Sequence, residues 1–137
     1  MKKLLLGLLC TITLGAYANP ADDLLNRIDK GAAAKFKTIL VKSDKDFFEI
    51  DQAGNGKSTT APKPAGKNNP IIIRGNSWVN IAVGINWYLK HHAGIHITWN
   101  NMNQKLPNVL PAVKQKERHE TDLKLRYDFN YCTFSYT

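Results

Sequence analysis

The chain has 137 residues and a formal net charge of +8, with a pI near 9.6. That length is room for one domain of ordinary size. The positive charge is diffuse, with no Arg-rich run and no RNA-binding motif, so it reads as a solvated basic surface rather than a nucleic-acid footprint.

The first segment reads as an export signal. "MKK" is a charged start, "LLLGLLCTITLGA" is an apolar run too short to span a bilayer comfortably, and "AYA" at 16–18 fits a small-x-small cleavage site. Cleavage is expected between Ala18 and Asn19. Cys10 follows Leu8 and Leu9 inside the apolar run, which argues against a lipoprotein signal. The expected location is therefore periplasmic or secreted, with no membrane attachment after cleavage. Removing residues 1–18 takes Lys2 and Lys3 away and leaves Cys132 as the single cysteine. An intramolecular disulfide is then impossible, and Cys132 is either buried, reactive, or paired with something absent from this chain. Export also opposes a nucleic-acid partner.

Residues 20–31 carry a helix signature: Pro20 in the first turn, Asp22 and Asp23 at the positive end of the dipole, and Gly31 as a stop. Leu24, Leu25 and Ile28 form its apolar stripe. "AKFKTILVK" and "FFEID" read as two strands around the turn "SDKD", and so as a short antiparallel pair. Residues 52–69 are loop by composition. "PIIIRG" is a continuous apolar run suited to a strand buried on both faces.

"NSWVNIAVGINWYLKHHAG" follows as a helix. Asn76 or Ser77 can cap it, and Trp78, Ile81, Ile85, Tyr88 and Leu89 recur at three- and four-residue spacing. Lys90, His91 and His92 fill the last turn, and Gly94 suits the position after it. "IHITWN" reads as a further strand, completing a βαβ unit. Residues 103–122 look polar and irregular, with "LPNVLPAV" extended. "LKLRYDFNYCTFSYT" alternates cleanly, with Leu123, Leu125, Tyr127, Phe129 and Tyr131 on one face and Arg126, Asp128, Asn130 and Cys132 on the other. The fold class is α/β with α+β character: a small mixed sheet with a βαβ unit and packed helices.

Motifs for chemistry are sparse. Gly56-Lys57-Ser58 resembles the end of a phosphate-binding loop, but Asp51 stands where its first Gly belongs, and Pro62, Pro64 and Gly66 forbid the helix that must follow. His92 and His96 have metal-pair spacing, yet Gly94 ends the helix between them, so no metal is expected there. Glu117 and Glu120 read as a solvated patch rather than a converging acid pair. Cys132 lacks an evident base and Ser135 lacks a motif. Read from residues alone, this is a small exported domain without a visible active site. A free-standing glycan- or protein-binding module is one alternative; Trp78, Trp87 and Trp99 would be its contacts, although Trp78 and Trp87 sit at spacings that suit a core-facing stripe.

Three segments together carry a resemblance. "NPIIIRGNSWVNIAVGINWYLKHHAGIHITWN" is similar to the core of the N-terminal domain of glycoside hydrolase family 89, the alpha-N-acetylglucosaminidases. "LPNVLPAV" resembles the segment leading from that domain, and "LRYDFNYCTFSYT" resembles the first strand of the catalytic barrel. The resemblance implies three domains in the complete enzyme: a small α/β domain, a (β/α)₈ barrel with two catalytic glutamates, and an α-helical domain. Such enzymes release terminal α-linked N-acetylglucosamine with retention and need no metal or cofactor.

On this reading residues 1–18 are the signal, 19–122 the N-terminal domain, and 123–137 the start of the barrel. Both glutamates would lie beyond Thr137, so no residue here is assigned as catalytic and this fragment is expected to be inactive and structural. Its partners would be the missing barrel and helical domain, with an N-acetylglucosamine-terminated glycan in the complete enzyme. The resemblance also implies that Asn130 and Cys132 line the sugar pocket. The 52–69 loop looks longer than the family pattern.

Overall fold

The computed structural model describes residues 19–53, 63–98, 100–101 and 104–122. The expected signal peptide, the Gly-Lys-Ser loop, Trp99 and the aromatic segment containing Asn130 and Cys132 lie outside the described residues.

Helix α1 spans Pro20–Ile28. Asn19 caps it: its side-chain oxygen accepts from the Ala21 N–H at 3.0 Å, and its amide donates to Thr38 Oγ1 at 2.7 Å. The chain then turns at Gly31, whose φ of 86° is the left-handed conformation that glycine adopts without steric cost. A 3₁₀ turn over Ala32–Lys35 leads into strand β1, Phe36–Leu40. Strands β2 (Asp46–Gln52) and β3 (Ile71–Gly75) follow, then helix α2 (Trp78–His91), and finally strand β4 (Glu117–Thr121).

The four strands form one mixed sheet in the order β1-β3-β2-β4. β3 pairs parallel with β1 and antiparallel with β2, and β2 pairs antiparallel with β4. The mixed sheet and packed helices agree with the sequence reading, but two connections differ from it. β1 and β2 are not a hairpin, because β3 lies between them. The all-apolar run Ile71-Ile72-Ile73 draws β3 to the sheet centre, where both of its edges are paired and Ile71 and Ile73 are fully buried. Its other face is only half-buried, at Ile72 and Arg74.

The second difference concerns the βαβ unit. Residues 95–98 do not join the sheet. With both edges of β3 occupied, no slot remains beside it. The Ile-His-Ile alternation instead turns Ile95 and Ile97 onto the core from a loop. The strand after α2 is β4, which runs parallel to β3 with β2 between them, so the βαβ unit is split. β4 lies within the stretch read as irregular. Its sequence, Glu-Arg-His-Glu-Thr, has no apolar residue to announce a strand, and a charged sequence suits an edge.

Both helices pack on one face of the sheet. Ile81, Ile85, Tyr88 and Leu89 of α2 and Leu25 and Ile28 of α1 meet Phe36, Phe48, Ile50, Ile71 and Ile73 in one core. Leu106, Leu110 and Val113 complete this core from the segment before β4. That segment is anchored by hydrogen bonds: the Leu106 N–H to Asp29, the Val113 N–H to Gln52 Oε1, and paired backbone bonds between Leu110 and Ala65.

Candidate functional site

The densest polar constellation lies where β3 turns into α2, over the sequence Arg-Gly-Asn-Ser-Trp. Arg74 Nη1 lies 3.5 Å from Asp51 Oδ2 on the adjacent strand. At Gly75 a Cβ would sit 3.1 Å from the Ile81 backbone nitrogen and 3.2 Å from the Phe47 carbonyl oxygen, a fit that favours glycine. Asn76 accepts from the Phe47 N–H at 3.3 Å and from Asn80 Nδ2 at 2.6 Å, and its own amide donates to Asp46 Oδ1 at 2.9 Å. Asn80, nearly buried, donates to the same Asp46 oxygen at 3.2 Å. Ser77 Oγ caps α2 by accepting from the Asn80 N–H at 3.2 Å.

Beside this network is a shallow pocket of about 120 Å³ lined by Asp46, Phe47, Phe48, Asn80, Val83 and His119, among others. Ligand pockets are commonly roughly 300–1,000 Å³, so this one is too small to enclose a sugar ring with its substituents.

A second constellation joins the end of α2 to β4. Glu117 lies between two histidines: Oε1 is 3.0 Å from His92 Nε2, and Oε2 is 3.6 Å from His119 Nε2. His92 stacks on Tyr88, with ring centroids 5.3 Å apart. His119 stacks on Phe48 at 4.8 Å and meets Trp87 at 4.5 Å, while His91 meets Trp87 at 4.2 Å. Among the described residues no group of three or more His, Cys, Asp and Glu side chains is arranged to hold a metal ion. The sequence reading treated His92 as a helix-end basic residue and Glu117 as part of a solvated patch. His92 does cap the end of α2 and is in addition half-buried against Glu117, which is a half-buried partner rather than part of a solvated patch. His119 was not singled out, because its role depends on β4 pairing with β2.

The other carboxylates on the sheet are held by amides or cations. Glu49 is buried and faces Lys116 and Arg118, with Arg118 Nη1 3.4 Å from its Oε1. Arg118 also lies over the Phe47 ring, 4.0 Å from its centroid. Glu120 is paired with Arg118 at 3.1 Å and with Lys45 at 3.7 Å. Lys45 also reaches Asp122 at 3.1 Å, and those two acids hold its ammonium above its ordinary pKa. Glu117 and Glu120 are three residues apart on one strand and so face opposite sides of the sheet. They cannot converge on a substrate as an acid and a nucleophile must.

Of the other residues singled out from sequence, His96 is exposed beyond Gly94, whose φ is 67°. Trp87 packs against the core as expected. Trp78 does not lie on the core-facing stripe and is 36% exposed. Asn130, Cys132 and Ser135 lie outside the described residues. Sequence reasoning also missed Gln52, only 2% exposed, whose amide donates to the Lys63 carbonyl at 2.6 Å and accepts from the Val113 N–H at 2.9 Å.

A mixed four-stranded sheet with two helices on one face, and a strand–helix turn occupied by its own polar network, define a small α+β domain. The chain belongs to the alpha-N-acetylglucosaminidase (NAGLU) N-terminal domain family, whose sequence profile matches residues 19–112. It is 37% identical to human alpha-N-acetylglucosaminidase over 67 residues, covering 49% of this chain and 9% of the human protein. Its fold is similar to that of a family 89 glycoside hydrolase from Clostridium perfringens, solved in complex with PUGNAc, with a TM-score of 0.66 and 28% identity. That match covers 87% of this chain and 12% of the clostridial one. A second structure, with two glutamates replaced by glutamine, holds its substrate GlcNAc-alpha-1,4-galactose and matches equally well. The chain therefore spans only about a tenth of the length of these relatives.

Proposed function

We propose that this chain is the non-catalytic N-terminal domain of an exported alpha-N-acetylglucosaminidase. In the complete enzyme a following catalytic domain hydrolyses terminal α-linked N-acetylglucosamine from glycans, as the substrate in the clostridial relative suggests. The observation that carries the reading is the use made of Arg-Gly-Asn-Ser-Trp, part of the sequence that bears the family resemblance. Arg74, Asn76 and Ser77 serve internal contacts, and Gly75 serves close packing. A segment with this pattern builds a scaffold and leaves no group free to attack a glycosidic bond. The sheet acids are likewise paired, Glu117 with two imidazoles and the others with cations or amides.

On the same reading Asn130 and Cys132 contribute to the wall of the sugar pocket once the barrel is complete. The mature chain is expected in the periplasm or the medium after cleavage at Ala18. Purified mature chain is expected to leave a chromogenic α-N-acetylglucosaminide intact, under conditions where the clostridial enzyme turns it over. Measurable release of the chromophore by this chain would overturn the non-catalytic assignment.

A further inference from the structure

We draw no further inference here: the strongest candidate, the His92–Glu117–His119 side-chain cluster between the end of α2 and β4, belongs to the site already described, with both carboxylate oxygens of Glu117 engaged by the two imidazoles and, among the described residues, no group of three such side chains arranged to hold a metal ion.

Discussion

Single side chains tie the non-contiguous parts of this domain together, and Tyr88 shows the physics most directly. It is fully buried, makes an edge-on contact with Phe36 at 5.7 Å, and donates its hydroxyl to the Pro111 carbonyl at 2.6 Å. Tyr88→Phe keeps the ring and leaves that carbonyl without its donor, so it should cost roughly 1–3 kcal/mol by chemical denaturation. The effect should depend on pH. Burial pushes the Tyr88 hydroxyl well above its ordinary pKa of 10.0. Its folded-state pKa is therefore raised, and the unfolded chain loses this proton first as pH rises. The hydroxyl's contribution is complete below the unfolded value and declines above it. The stability gap between wild type and Tyr88→Phe should hold constant up to about pH 9 and narrow as pH rises through and above about 10. A constant gap would show that the hydroxyl is not buried in this way.

At the scale of elements, the closeness of α2 to the sheet is set by Gly84. A Cβ there would lie 2.8 Å from Ile73 Cγ2 and 3.2 Å from Phe48 Cδ2, and the Ile73 side chain is fully buried with nowhere to retreat. Gly84→Ala gains about 1 kcal/mol of helix propensity, but overpacking at a site this tight costs roughly 1–3 kcal/mol. The melting temperature should fall, whereas an increase would mean that α2 rides higher on the sheet. Both helices were legible in the sequence because their apolar spacing and end signals agree. Asp22, Asp23, Ser77 and the 81-85-88-89 stripe occupy the roles they were assigned. Strand partners were not legible. β3 inserts between β1 and β2 for a reason held in the whole sheet: its continuous isoleucines need two neighbours. β4 has no apolar signal at all, and its place is fixed by pairing with β2 and by Glu117 and His119 meeting α2. The two residues that the family resemblance points to, Asn130 and Cys132, lie outside the described residues, so their place in a sugar pocket stays part of the proposal.

For the molecule as a whole, the core closes only when the segment after α2 returns. Leu106, Leu110 and Val113 are buried against both helices and the sheet, and β4 then covers the free edge of β2. Burying three such aliphatic side chains contributes roughly 1.5–3 kcal/mol each. Their sum is comparable with the whole stability of an ordinary domain, about 5–15 kcal/mol. The same stretch also satisfies buried polar groups: without Val113, Gln52 keeps a buried oxygen with no donor, and without Pro111 the Tyr88 hydroxyl loses its acceptor. A chain ending at Gln104 should therefore lose cooperative thermal unfolding. A chain ending at Asp122 retains these core contacts, together with β4 and its Lys45 pairings, and should unfold cooperatively near the full-length temperature. Circular dichroism melts of the two truncations distinguish the cases. If the shorter one melts as sharply as the longer, the 106–113 segment is an ornament on a finished core; if the longer one fails, residues beyond 122 are part of the folding unit and the domain boundary lies further along the chain.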